Sequence, residues 1–177
     1  MGQNKRPIRK PDELRGAAAH VDYEIEMLVY SASCVGGWHS LSQNTREGYP
    51  NNMALESFLL HFRNLRAFLC PSLQPVSIDD VCASDFFDEP EERDLGTASR
   101  LSEDQERLNK MLAHLSYRRD KYITAGDYKW MVARMLVVVL EDLQAFFGQL
   151  SKERWDWFRS IPGIETYLVT ARIVAGQ

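Results

Sequence analysis

Apolar residues recur at three- and four-residue steps in the first part of the chain, between residues 12 and 35. This spacing places them on one stripe of an α-helix that packs against a core. Asp12 follows Pro11 and is suited to cap the helix, while Gly36 and Gly37 predict where it ends. The stripe consists of Leu14, Ala18, Val21, Ile25, Leu28 and Ala32.

A second helix is predicted for residues 50–69, PNNMALESFLLHFRNLRAFL. Asn51 or Asn52 can cap it. Pro71 predicts its end, because proline lacks the N–H that a continuing helix needs. The apolar face is wide, which indicates burial against more than one neighbour. It is formed by Leu55, Phe58, Leu59, Phe62, Leu65 and Leu69.

Residues 71–98 interrupt the helical pattern with a run of acidic side chains. Because such a run usually lies in solvent, the segment is predicted to be an acidic loop insertion. Within it, four apolar residues predict a short helical turn that folds back onto the core. They are Ile78, Val81, Phe86 and Phe87.

Two more long helices are predicted after the acidic loop. Residues 99–118 have an apolar stripe that includes Leu108. Residues 127–148 contain the apolar run MLVVVL at 135–140, which is typical of a central helix contacted on several sides. Asp127 is well placed to cap that helix.

The end of the chain is predicted to be helical as well. Ser151 opens a short helix with the sequence KERWDWFRS, which Pro162 and Gly163 are expected to close. The C-terminal tail, residues 164–177, is predicted to form a last helix, with an extended segment as the alternative.

The periodicity therefore predicts an all-α protein, a single-domain antiparallel bundle of four to five helices spanning residues 1–177. The acidic loop lies between the second and third long helices. Residues 1–11 are basic and are expected to form a flexible N-terminus.

Composition narrows the possible functions. The chain has 177 residues, of which 45% are hydrophobic and 26% charged, as in ordinary globular proteins. Its net charge of −4 argues against a broadly basic nucleic-acid-binding surface but allows a local one. Cys34, Cys70 and Cys82 have no CxxC spacing, so no disulfide, metal site or cofactor is predicted. No signal-peptide core or membrane-length apolar run occurs, which predicts a cytoplasmic protein without a membrane contact.

One helix face in residues 99–118 carries candidate chemistry. Arg107 and His114 are seven residues apart, nearly two turns, so they share a face, with Lys110 and Arg118 beside them. A histidine can take the proton from a ribose 2′-hydroxyl, and a guanidinium can hold the phosphate. The alternative is an ordinary amphipathic helix in which Arg107 pairs with an acidic residue one turn earlier. Arg107, Lys110, His114 and Arg118 are called the basic strip below.

The Arg107-x6-His114 spacing, late in a small helical bundle, resembles the signature of the HEPN superfamily, and residues 54–69 resemble its early helix. The resemblance implies a homodimer and a role in RNA binding or metal-independent RNA cleavage that leaves a 2′,3′-cyclic phosphate, in a toxin–antitoxin or defence system. His114 would be the general base or acid and Arg107 would position the phosphate, while Lys110, Arg118 and Arg119 would hold the RNA backbone. In the family the residue after the arginine is commonly polar, whereas here it is Leu108.

A second polar seam lies on the predicted helix at residues 50–69 and contains Glu56, His61, Arg63 and Asn64. It has two interpretations. Arg63 and Asn64 would contact RNA phosphate or orient the histidine in the same cleft as His114, or the seam is a polar network that fixes helix packing. The second interpretation suits a non-catalytic interaction module that binds a protein partner, such as an antitoxin, or a small ligand.

Overall fold

A computed structural model describes residues 7–38, 49–73, 76–89, 95, 108 and 130–176. All regular secondary structure within these ranges is helical, and the helices pack against one another around a single hydrophobic cluster. The predicted all-α helical bundle is confirmed. The α-helices are α1 (Pro11–Trp38), α2 (Tyr49–Leu69), α3 (Val132–Phe147), α4 (Lys152–Trp155) and α5 (Ile161–Ala175), and two 3-10 helices span Pro71–Leu73 and Ala83–Phe86.

Helix α1 buries the predicted stripe, with Ala32 packed against the core only in part. Its ends differ from the prediction. The helix begins at Pro11, so Asp12 lies in the first turn, and the Lys10 backbone N–H is satisfied by the Glu13 carboxylate at 2.8 Å. Gly36 and Gly37 do not end the helix, which continues to Trp38. Glycine costs a helix about 1 kcal/mol relative to alanine, less than the packing of a long buried helix contributes.

Helix α2 begins at Tyr49, one residue before the predicted start, so Asn51 and Asn52 lie inside the helix and neither caps it. The helix ends at Leu69 as Pro71 predicts. Its wide apolar face is buried at Phe58, Leu59, Phe62, Leu65 and Leu69.

The described residues of the acidic segment are partly buried and partly exposed. The 3-10 helix Ala83–Phe86 buries Phe86, and Phe87 after it is buried too, which confirms the predicted turn onto the core. Ile78 and Val81 do not take part, since they are 60% and 38% exposed. Leu95 is buried, and its backbone N–H donates to the Leu69 carbonyl at 2.8 Å, so the end of the segment is fastened to α2.

The exposed part of the segment is stabilised locally. The Arg9 guanidinium donates to the carbonyl of Ile78, which links the stretch before α1 to this loop. A hydrogen bond from Ser77 lowers the pKa of the exposed Asp79 carboxyl below its usual value. The Ser77 backbone N–H donates to Asp80 at 2.6 Å.

Helix α3 is central, as predicted, because residues 135–140 are all buried. It begins at Val132, however, and residues 130 and 131 are not helical. Asp127 lies outside the described residues, and the predicted start at residue 127 is wrong. The helix begins three residues before its buried run at 135–140, and packing of that run stabilises it more than a cap would.

An aromatic cluster centred on Phe146 joins the separate elements. Its ring contacts five other phenylalanines at centroid distances of 5.1–6.0 Å. Edge-on and tilted aromatic pairs of this kind add to the free energy of burial. The partners come from α2, the 3-10 turn, α3 and the segment before α5, and they are Phe68, Phe86, Phe87, Phe147 and Phe158.

The C-terminal part contains two helices, as predicted, but the boundary between them differs from the prediction. Ser151 is the N-cap of α4, as predicted, but α4 ends at Trp155. Pro162 and Gly163 do not close it. They form the first turn of α5, where proline is favoured because its missing N–H would be unsatisfied anyway. The tail is helical, as predicted, and Gly176 ends it with a left-handed φ of 74°.

Asp22 ties α1 to the start of α5. Its carboxylate is buried and accepts the backbone N–H of Arg159 at 2.7 Å, the N–H of Ser160 at 3.0 Å and the Ser160 hydroxyl. The N–H groups that begin a helix have no partner inside it. A carboxylate from a distant helix therefore supplies acceptors at the entry to α5.

Within the described residues, no helix combines the length and apolar character needed to cross a membrane. None of the three cysteines forms a disulfide; Cys70 and Cys82 are buried, and Cys34 is partly exposed.

Replacing Phe146 with alanine should lower the free energy of unfolding by about 4 kcal/mol, because the change leaves a cavity among five rings. Urea denaturation followed by circular dichroism measures this loss. Tyr30→Ala, at a largely exposed aromatic position of α1, is the control and should change stability by less than about 0.5 kcal/mol. Equal losses in both variants would contradict the central position of Phe146.

Replacing Asp22 with alanine should cost about 3 kcal/mol, because two N–H groups and one hydroxyl lose a charged acceptor. Glu26→Ala removes an exposed carboxylate from the same helix and should change stability by less than about 0.5 kcal/mol. Chemical denaturation of both variants tests the difference. An Asp22→Ala protein as stable as Glu26→Ala would show that the tether contributes nothing.

Candidate functional site

One polar cluster lies between α1 and α2 and centres on Glu24. Its Oε2 atom is 2.7 Å from Nδ1 of His61 and accepts a 3.1 Å hydrogen bond from the Asn64 amide. The Tyr23 ring meets the His61 ring edge-on, with centroids 5.8 Å apart. These four residues are called the Glu24 cluster below.

The geometry of the Glu24 cluster fixes the histidine. His61 is buried, and the carboxylate at Nδ1 favours the tautomer that carries its proton there. The other ring nitrogen, Nε2, has no hydrogen-bond partner among the described residues. If His61 is protonated, the same contact becomes a salt bridge. A carboxylate–imidazole pair of this kind can hold helices together or orient a histidine for proton transfer.

The periodicity of α2 explains why His61 and Asn64 meet one acceptor. They are three residues apart, so both lie toward the same neighbouring helix. Glu24 lies beside the buried stripe of α1, between Val21 and Ile25. The sequence singled out His61 and Asn64 but not Glu24. A carboxylate next to an apolar stripe is the signal that was available, although its partner on another helix cannot be identified from one helix alone.

The remaining members of the α2 seam behave differently. Glu56 is exposed and Arg63 is half-buried, and neither forms an ion pair with another described residue. Arg63 and Asn64 were predicted to contact RNA. Asn64 is exposed but bound to Glu24, while Arg63 forms no hydrogen bond or ion pair with another described side chain. Their roles in binding stay predictions.

A buried cation on α2 was not singled out from the sequence. Arg66 is 3% exposed, and its guanidinium lies 5.4 Å from the centre of the Phe62 ring. A guanidinium over an aromatic face is favourable, more so away from water. Arg66 has at least one further interaction besides this ring contact. It belongs to the packed interior of the bundle.

The predicted catalytic pair and the other cations of the basic strip lie outside the described residues. This applies to Arg107, Lys110, His114 and Arg118, and Arg119 next to the strip lies outside them as well. Leu108, within the same stretch, is described. It is helical and fully buried.

Comparison of the chain with protein-family models, curated proteins and solved structures found no match. The resemblance to HEPN proteins therefore stays a prediction from the sequence. Among the described residues, no group of three or more histidine, cysteine or acidic side chains is arranged to hold a metal ion.

Replacing Glu24 with alanine should lower the free energy of unfolding by about 1.5 kcal/mol, since His61 and Asn64 lose their acceptor. A double-mutant cycle with His61→Ala should give a coupling energy of about 1 kcal/mol. Glu56→Ala, at an exposed position on α2, is the matched control and should show no coupling to His61. Additive effects of Glu24→Ala and His61→Ala would contradict the contact.

Proposed function

We propose that this protein is a HEPN-like RNA-binding protein that cleaves RNA without a metal ion, through Arg107 and His114. The observation that supports the proposal is Leu108, which is helical and fully buried. A buried Leu108 agrees with the predicted apolar stripe of residues 99–118. The sequence spacing then predicts Arg107 and His114 together on one flank of that stripe.

The proposed reaction is an internal transesterification. His114 removes the proton from the ribose 2′-hydroxyl, and the 2′-oxygen attacks the adjacent phosphorus. The bond from phosphorus to the 5′-oxygen breaks, that oxygen takes up a proton, and a 2′,3′-cyclic phosphate remains. Arg107 holds the phosphate through paired N–H donors and stabilises the charge that develops on its oxygens.

Backbone binding is assigned to cations near the catalytic pair. Lys110, Arg118 and Arg119 would neutralise RNA phosphates, whose contacts dominate affinity for nucleic acid. Arg63 supports this assignment from the described part, because it is half-buried and forms no ion pair with another described residue. A homodimer would bring two basic strips into one cleft of an otherwise acidic protein. A toxin or defence role in the cytoplasm, with an antitoxin as partner, is the corresponding biological setting.

A second candidate function is a non-catalytic interaction module. One observation favours it: Glu24 binds both His61 and Asn64, so part of the polar seam on α2 serves to join two helices. One helical scaffold can host either role, so the fold alone does not decide between them.

Purified protein incubated with mixed RNA should release fragments that end in 2′,3′-cyclic phosphate, at the same rate with and without EDTA. His114→Ala and Arg107→Ala should each reduce the rate at least about 100-fold, because each removes a group that acts in the transition state. Gel electrophoresis and end-group analysis measure the outcome.

Two matched controls separate the proposed pair from general surface charge. His20→Ala and Arg134→Ala remove an exposed histidine of α1 and an exposed arginine of α3, and both should cleave like the wild type. Cleavage that persists in His114→Ala and Arg107→Ala contradicts the site. A wild-type protein without cleavage favours the interaction module.

A further inference from the structure

Helix α5 lies against α3 through one face. The residues of that face, Ile164, Leu168 and Ala171, are buried and spaced by four and three. The Arg172 guanidinium also binds the Glu141 carboxylate of α3 at 2.7 Å. The Asp22 tether fixes the beginning of the helix. The orientation of α5 is therefore well determined, and its opposite face is turned to solvent.

The outer face of α5 is uncharged and mostly apolar, with Thr166 as its polar member. Pro162, Thr166, Val169 and Ile173 follow one another at steps of four, three and four, the spacing of a coiled-coil seam. All four are exposed, Val169 by 51% and Ile173 by 72%. These four residues are called the α5 seam below.

A hydroxyl beside the α5 seam does not need a partner from outside the helix. The Thr170 hydroxyl donates to the Thr166 carbonyl at 2.9 Å, so it is satisfied within the helix. Val174 is 71% exposed as well, about 100° around the helix from Ile173. An exposed apolar strip of this kind is typical of an interaction surface.

The charges beside the seam are arranged in a way that identifies its partner. Glu165 and Arg172 are seven residues apart, so they lie on the same flank of the α5 seam. Glu165 is exposed and forms no ion pair with another described residue. One flank thus carries a negative charge near the start of α5 and a positive charge near its end.

We infer that the α5 seam is the interface of a homodimer in which two copies of α5 pack antiparallel. A twofold axis midway between residues 165 and 172 places Val169 next to its own copy and Ile173 level with the gap between Pro162 and Thr166 of the partner subunit. In an antiparallel pair equal flanks meet. Glu165 therefore faces Arg172 of the partner subunit, and symmetry repeats the contact.

A second copy of this chain fits the surface better than an unrelated charged partner. The seam itself offers no charge for such a partner to recognise, and the two flanking charges complement each other only across the twofold axis. Arg172 can make this contact and keep Glu141, because a guanidinium has five N–H donors. Parallel packing would leave Glu165 without this partner.

The size of the surface sets the expected affinity. Fifteen residues of helix are about 22 Å long at 1.5 Å per residue, and one such helix buries less than the roughly 800 Å² per partner of a standard interface. We expect a dissociation constant on the order of 10 µM. The inference rests on α5 and does not depend on the RNA proposal.

Sedimentation equilibrium of the full chain between about 2 and 200 µM tests the dimer. The wild type should change from monomer to dimer across this range, while Ile173→Asp should stay monomeric. Met53→Asp is the matched control, since Met53 is 69% exposed on α2, and it should dimerise like the wild type. Circular dichroism checks that each variant is folded.

A charge change tests the antiparallel arrangement separately. Glu165→Lys should raise the dissociation constant at least about tenfold, because it places two cations together on each flank of the dimer. A wild type that is monomeric at 200 µM, or dimerisation unchanged in Ile173→Asp, overturns the inference. A dimer insensitive to Glu165→Lys overturns the antiparallel packing. These measurements contain no RNA, so their failure is distinct from a failure of RNA cleavage.

Discussion

The buried carboxylate of Asp22 is the contact on which the arrangement of the bundle depends. It accepts hydrogen bonds from the entry to α5, 137 and 138 residues away along the chain. Closing a loop of this length costs conformational entropy, and several charge-assisted bonds at one buried point help to offset it. Because the residues just before α5 are fixed at α1, α5 can lie along α3 with one face turned out.

Helix α1 uses both sides of its apolar stripe. Asp22 and Glu24 are two residues apart, so their side chains leave the helix on different flanks. Asp22 binds the start of α5 and Glu24 binds α2. The apolar stripe between them supplies the burial, and the two carboxylates determine which neighbours lie on which side. If α2 and α5 exchanged places, the buried N–H groups that donate to these two carboxylates would lose their acceptors.

Much of the fold was predictable from the sequence, because apolar spacing reports directly on which face of a helix is buried. The stripe of α1, the wide face of α2 and the central position of α3 all follow from it. Helix ends were harder to predict. Asparagine and proline occur both beside helix ends and in the first turn of a helix. The presence of Asn51, Asn52 and Pro162 therefore does not show at which residue a helix begins or ends. Asp22 and Glu24 could not be identified either, because their partners are remote in sequence and an acidic residue beside a stripe is common.

Whether a polar side chain has a partner within the protein also bears on its function. A polar residue beside a core serves packing when a neighbour satisfies it and is available for a ligand when none does. Glu24 of α1 already binds His61 and Asn64 of α2. Arg63 of α2 forms no ion pair with another described residue. If α2 contributes to RNA binding, Arg63 is therefore the member of the seam best suited to a phosphate. Asn64 would first have to give up its bond to Glu24, and that competition weakens any contact it makes with RNA.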